Sequence, residues 1–323
     1  RQTVWRALQT ASGKTIIIRY FPFEALTQSH IVQLTYEFEQ ASRIESVHVG
    51  KAYSMERVRD QNFNGLVFFL EDPPGVTLKA YIAKKRIPLR EVLDIAIQAA
   101  KGLRDLHMHE IIHSDINPDA ICVDAKRRFA VIRDFGFSAL SAYKTEMIYD
   151  PLVITRNLPY ISPEQTGRTS MAIDYRTDFY SLGATLYEAL TGMPPFPSTE
   201  PLEIIHAHLA RQPRPPSIIN EKIPRAISEI VMKLLAKDPE NRYVSAAGLI
   251  RDLEECLARI TRNEPLESFT PGMYDTKEHF SVPRRLYGRT REREALIKAF
   301  EDAARRVFEG FDAVSYTHLT LPT

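Results

Sequence analysis
The chain has 323 residues, with 42 Lys+Arg against 41 Asp+Glu and a formal net charge of +1. At roughly 150 residues per domain this suggests two domains, or one large domain with an appendage, and it supplies no basic excess to draw the protein to nucleic acid. The longest notable apolar run, Gly65-Leu-Val-Phe-Phe-Leu70, is far shorter than the ~18 residues of a membrane span, and two cysteines cannot build a disulfide framework, so the expected setting is cytoplasmic.

Residues 15–21, Thr-Ile-Ile-Ile-Arg-Tyr-Phe, are rich in β-branched side chains and predict a strand. Between Leu26 and Ile44, apolar Ile31, Leu34, Phe38 and Ala41 recur at helical spacing. Residues 66–70 predict a second short strand, ended by Glu71-Asp-Pro-Pro-Gly75. A long helix over about 89–107 turns Val92, Leu93, Ile95, Ala96, Ala99, Ala100, Leu103 and Leu106 inward. Residues 121–123 and 130–132 flank Asp124-Ala-Lys-Arg-Arg128 as a hairpin. After about Thr177 the pattern is helical, at 179–190, 201–210, 227–235 and 246–260. A strand-rich front before a larger helical back predicts an α+β fold rather than a doubly wound sheet. Residues 261–284, with three prolines and no period, predict a linker, and an amphipathic helix at 291–308 follows, with Thr290 as its N-cap. Its interleaved acidic and basic residues predict a solvated face. The first methionine is Met55, so the natural start is expected before Arg1; residues 314–323 are uncharged, resemble translated adaptor sequence and are expected to be non-native.

Glycine is scarce. No two of the 13 glycines are closer than Gly183 and Gly192, so neither G-x-G nor G-x-x-x-x-G-K occurs here. A glycine-rich phosphate cradle is therefore excluded within these residues.

The strongest constellation is Ile111-Ile-His-Ser-Asp-Ile-Asn-Pro-Asp-Ala-Ile-Cys-Val123, followed by Val131-Ile-Arg-Asp-Phe-Gly136. Phosphoryl transfer to a hydroxyl needs one carboxylate beside the attacking oxygen and another on a metal ion. Asp115 precedes the predicted hairpin and Asp134 follows it, so the turn brings both loops to one end. This pair resembles the protein-kinase catalytic loop H-R-D-x-x-x-x-N and the D-F-G motif. Tyr160-Ile-Ser-Pro-Glu164 is similar to A-P-E, Asp178-Phe-Tyr-Ser-Leu-Gly183 to D-x-W-S-x-G, and Asp238-Pro-Glu-Asn-Arg242 to D-P-x-x-R. Five matches in order imply a two-lobed protein-kinase-like fold over residues 1–262, with an N-lobe (1–72), a C-lobe (73–262) and the glycine-rich loop before Arg1.

The resemblance implies roles. Asp115 is the catalytic carboxylate and Asp134 the magnesium ligand beside ATP, with Phe135 and Gly136 completing its motif. Arg19 stands where the family has its phosphate-binding lysine, and Glu37 where the helix glutamate pairs with it. Val4 lies on the strand after the missing loop, and Leu70, Glu71 and Asp72 take the hinge position, where backbone groups hold adenine. His113 packs behind the loop, Glu164 and Arg242 form a buried ion pair, and Asp178 opens the central helix. The wording of residues 115–118, 160–168 and 173–178 resembles bacterial serine/threonine kinase domains that lead into an AAA-type ATPase, often with GAF and histidine-kinase modules. Residues 263–284 are then the linker, and 285–313, opening with Arg285-Leu-Tyr-Gly-Arg289, the start of that ATPase as an adjacent partner module.

Three residues depart from the family pattern. Arg19 replaces lysine, keeping the charge on a longer, planar head. Ala120 replaces the metal-binding asparagine and offers no oxygen. Ser114 replaces the H-R-D arginine, so Thr145, Tyr149 and Thr155 lose the usual anchor for a phosphorylated loop. Two functions stay open: ATP- and magnesium-dependent phosphorylation of serine or threonine in a protein substrate, or a pseudokinase module that senses nucleotide and relays to the ATPase. A small-molecule phosphotransferase is disfavoured by the set Glu164, Asp178 and Arg242.

Overall fold
A computed structural model describes residues 3–10, 13–60, 62–133, 157–266 and 268–276. Asp134, Phe135, Gly136, Thr145, Tyr149, Thr155 and everything from 277 onward lie outside the described residues.

The first layer is a four-stranded antiparallel sheet of β1 (Thr3–Leu8), β2 (Thr15–Pro22), β3 (Ala52–Arg59) and β4 (Asn64–Glu71), in the order β1-β2-β4-β3. Side chains alternate across a strand, so Ile17 and Phe21 of β2 and Leu66, Phe68 and Leu70 of β4 share one buried face. Helix α1 (Gln28–Ala41) covers that face with Leu34 and Phe38, the Phe38 ring lying 5.5 Å from that of Phe68. Its first turn is held by a reciprocal cap. The Thr27 hydroxyl accepts from the His30 amide at 3.2 Å, while His30 Nδ1 accepts from the Thr27 amide at 3.3 Å. Histidine here does what glutamate does in the usual capping box. A Cβ on Gly65 would sit 2.1 Å from the Phe21 carbonyl oxygen, so only glycine lets β2 and β4 meet there.

Residues 72–75 lead to β5 (Val76–Thr77), α2 (Leu78–Lys84) and α3 (Leu89–Met108). Strands β6 (Ile121–Asp124) and β7 (Phe129–Ile132) complete a small sheet in the order β5-β6-β7. Gly75 has φ of +111°, and a Cβ there would lie 2.2 Å from the Val123 carbonyl oxygen. Helices α4 (Arg176–Thr191), α5 (Pro201–Ala210), α6 (Pro216–Ile219), α7 (Arg225–Leu234) and α8 (Ala246–Arg262) follow. α3 packs on α8 and β7, and α4 packs on α7. All eight residues expected to face inward on α3 are buried. Burying a large aliphatic side chain contributes ~1.5–3 kcal/mol, so this stripe docks the helix. No helix among the described residues is long and apolar enough to cross a membrane.

The α+β architecture matches the sequence expectation, a strand-rich N-lobe before a helical C-lobe. Strand β3 and helix α2 are not among the predicted elements. β3 reads Ala-Tyr-Ser-Met-Glu-Arg-Val-Arg, with charges interrupting its alternation, and α2 has only seven residues, too few to show a period. The stretch expected as a linker from 263 is docked as far as it is described. Leu266 and Phe269 pack against the C-lobe core, the Gly272 amide donates to Asp252 at 2.6 Å, and Asp275 accepts from the Val244 and Ser245 amides at 2.5 and 3.0 Å. Irregular backbone without periodicity hides such side-chain anchoring. The first compact unit runs to Glu278.

Candidate active site
The loop between α3 and β6 is shaped from below by one buried carboxylate. Asp178, in the first turn of α4 and 0% exposed, accepts the amides of His113 at 2.9 Å and Ser114 at 2.7 Å, and His107 Nε2–H at 2.8 Å. The helix N-terminus favours this negative charge. The two amides pin Ser114 at φ +62°, a left-handed conformation costly to a non-glycine residue.

His113 fixes the next link. Its Nδ1 accepts the Asp115 amide at 3.2 Å, so the ring proton sits on Nε2, which donates to the Arg133 carbonyl at 2.9 Å. Arg133 also donates its amide to the Ala120 carbonyl at 2.9 Å and its Nε–H to the Asp119 carbonyl at 3.1 Å. The loop carrying Asp115 is thus tied to Arg133, the residue that follows β7.

Asp115 is half-buried. Its Oδ1 accepts from Asn157 Nδ2 at 2.6 Å and, more distantly, from Asn117 Nδ2 at 3.4 Å. Asn117 is buried inside the loop, donating to the Asp115 carbonyl at 2.7 Å and accepting the Asp119 amide at 2.8 Å. Ala120 is 4% exposed and places a methyl group where the family pattern has a ligand oxygen; Asp119 beside it is exposed. Gln165 Nε2 donates to the Ser114 carbonyl at 2.7 Å, bracing the loop from the 3₁₀ turn Pro163–Thr166.

On the sheet side, Arg19 lies between Ile17 and Phe21 on the buried face of β2, paired across to Val4 of β1 and Phe68 of β4. This is the face covered by α1, which carries Glu37, 6% exposed. Val4 is half exposed. Leu70 is buried at the end of β4. The Glu71 amide donates to the Lys51 carbonyl at 2.8 Å, while its carboxylate accepts the Lys51 amide at 2.9 Å. Asp72 accepts Arg6 Nε–H at 2.9 Å and Nη2–H at 3.0 Å, tying β1 to the segment that follows β4. The Gly50 amide donates to the Ile132 carbonyl at 2.8 Å, so the stretch leading into β3 runs along the end of β7. Residues 70–72 and the loop carrying Asp115 therefore border one region.

The Glu164–Arg242 pair is present and fully buried, with both side chains 0% exposed. Nη1 and Nη2 donate to the two carboxylate oxygens at 2.6 and 2.9 Å. The remaining donors reach the Ala236, Arg176 and Lys237 carbonyls at 2.8, 3.0 and 3.0 Å, so all five guanidinium N–H groups are satisfied. Burial pushes the Glu164 carboxyl up, but the bonds and charge of Arg242, with Thr177 donating at 2.8 Å, outweigh it and hold the group below the usual carboxylate range.

A family model for the protein kinase domain matches residues 2–252. The chain belongs to the protein kinase family. Among curated relatives, a probable serine/threonine-protein kinase of Clostridium perfringens is 36% identical over 58% of this chain and 27% of its own length. The serine/threonine-protein kinase PknB of Mycobacterium tuberculosis is 34% identical over 62% of this chain and 31% of its own length. The chain thus spans about a third of these relatives. Of solved structures, a double mutant of the PknI kinase domain of M. tuberculosis superposes with a TM-score of 0.61 at 18% identity, covering 79% of this chain and 90% of that one. Rad53 in complex with AMP-PNP superposes at 0.60 and 20% identity, covering 78% and 61%. These two show the fold.

Within this kinase domain, sequence reasoning missed Asn157, His107 and Gln165. None stands at a telling spacing from Asp115. Each reaches the loop only because α3, α4 and the 3₁₀ turn converge beneath it.

Proposed function
We propose that this kinase domain transfers the γ-phosphoryl group of ATP to serine or threonine hydroxyls of a protein substrate, in a bacterial signal-transduction protein. The observation that supports it best is the tethered loop: Asp115, held at one oxygen by Asn157, on a segment bonded through His113 and Ala120 to the neighbour of Asp134. In this reading Asp115 orients the substrate hydroxyl and accepts its proton as the oxygen attacks phosphorus and the bond to ADP breaks. Arg19, positioned by Glu37, meets the phosphates, and the hinge at Leu70, Glu71 and Asp72 seats the base below Val4.

In this reading one magnesium ion would be held by Asp134 and the nucleotide's own oxygens, because the buried Ala120 methyl group supplies no ligand. Bound there, the ion would neutralise phosphate charge. Ala120 also favours a second reading, a nucleotide-sensing pseudokinase. In the wider proposal residues 285–313 open an AAA-type ATPase in the same polypeptide, which works in the cytoplasm. Transfer of labelled phosphate from ATP to a generic protein substrate, compared between the full chain and Asp115→Asn, separates the two readings. Equal background rates exclude the enzyme.

A further inference from the structure
We propose that the base-reading edge of this site offers hydrogen-bond acceptors almost alone, and that the domain therefore accepts GTP about as readily as ATP. The inference rests on the placement of the nucleotide base at the hinge proposed above.

Donors are scarce along residues 70–74. Leu70 lies inside the sheet, paired with Ile17 of β2 and Ala52 of β3. The Glu71 amide is taken by the Lys51 carbonyl at 2.8 Å. Pro73 and Pro74 have no N–H at all. From Glu71 to Pro74 the backbone therefore presents four carbonyls and one further amide, that of Asp72, which strand alternation turns toward β2, opposite to the Glu71 amide. The side chains add no donor. Glu71 accepts from Lys51, and the Asp72 carboxylate is occupied by Arg6 at 2.9 and 3.0 Å.

The segment is also stiff. Each proline fixes its own φ near −65° and drives the residue before it toward extended backbone. Pro73 is buried; its Cγ lies 3.6 Å from where a Gly50 Cβ would sit, close to the Ile132 carbonyl oxygen at the end of β7.

Base chemistry supplies the rest. The Watson–Crick edge of adenine has an amino donor at N6 and an acceptor at N1. A carbonyl satisfies the first, and the second has no backbone donor facing it. Guanine offers donors at N1 and N2 and an acceptor at O6, so two carbonyls suit it and O6 goes unread. Each purine leaves one acceptor unmatched, which removes the usual ground for preferring adenine. Strong discrimination arises where a site is built to bond a group that the competitor lacks.

Thermal-shift titration of the full chain with magnesium and ATP, GTP or 1-deaza-ATP tests this. Apparent affinities for ATP and GTP should agree within about threefold, and 1-deaza-ATP, which lacks the N1 acceptor, should match ATP. Pro73→Ala restores an amide and should strengthen ATP binding about two- to tenfold, the worth of one net hydrogen bond, without strengthening 1-deaza-ATP. A wild-type preference for ATP over GTP above tenfold overturns the proposal but leaves nucleotide binding standing. So does a tenfold loss on 1-deaza-ATP. No shift with any nucleotide overturns nucleotide binding and the proposal together. Should Pro73→Ala fail to fold, the wild-type comparisons decide alone.

Discussion
Replacing Glu164 by alanine removes the acceptor of two guanidinium bonds and of the Thr177 hydroxyl, in a site with no exposed surface. Three of the five Arg242 donors keep their carbonyls, so the loss is concentrated on the two short bonds at 2.6 and 2.9 Å. Breaking one side of a buried pair costs about 3–5 kcal/mol, because the surviving charge stays buried and uncompensated. For a domain of this size each kcal/mol lowers Tm by ~2–4 °C, so a fall of about 6–20 °C is expected. Glu164→Gln should cost nearly as much, since its amide turns a donor toward a donor. Glu164→Met combined with Arg242→Met should recover part of the loss by removing the stranded charge, leaving only the backbone carbonyls short of partners. Thermal melts of the full chain and the variants measure this. A Glu164→Ala melt within about 3 °C of wild type would refute the claim that the pair braces the C-lobe.

Three further outcomes follow from the same geometry. Asp178→Ala frees the His113 and Ser114 amides and His107, and Ser114 should leave its left-handed conformation; bonds to a charged acceptor contribute ~1.5–3 kcal/mol each, so a marked loss in Tm together with activity is expected in parallel melts and transfer assays. Asn157→Ala removes the 2.6 Å donor on Asp115 and should lower kcat more than it raises KM for protein substrate, with folding nearly unchanged by melting; an unaltered kcat would remove Asn157 from the site. Acid titration of stability should show loss beginning below pH 6.5. Burial, with the Lys237 charge, lowers His208 to about 3. The unfolded chain binds that proton from about pH 6.5 downward and the folded chain does not, so stability falls with falling pH by up to ~1.4 kcal/mol per unit. Glu164, held below its ordinary range, adds loss in the same direction at lower pH. His208→Gln should flatten the slope between pH 6.5 and 4.

The parts of this domain that were legible in the sequence are those whose physics is periodic or chemically loud. The α3 stripe follows from a 3.6-residue period over 20 residues, and Asp115, Glu164, Asp178 and Arg242 sit in patterns whose charges need explaining. β3 and α2 were hidden by interrupted alternation and by shortness. Asn157 was illegible for a different reason. A single amide carries no pattern, and its contact with Asp115, 42 positions away, exists only after folding. The anchoring of 263–276 through Asp275 was likewise invisible, because a lone carboxylate in irregular backbone reads as solvent-facing. The proline pair at 73–74 was visible from the outset as the end of a strand; its meaning as a loss of amide donors emerges only beside the Glu71–Lys51 bond.

The central claim is that Asp115 serves phosphoryl transfer. The most direct measurement is the rate of γ-phosphate transfer from ATP with magnesium to a serine- and threonine-containing protein by the full chain, beside Asp115→Asn at equal folded fraction. Wild type should exceed the variant by about a hundredfold or more, since the asparagine keeps the Asn157 and Asn117 environment but cannot take the hydroxyl proton. Identical rates in the two proteins would contradict the account and leave the domain a binding module.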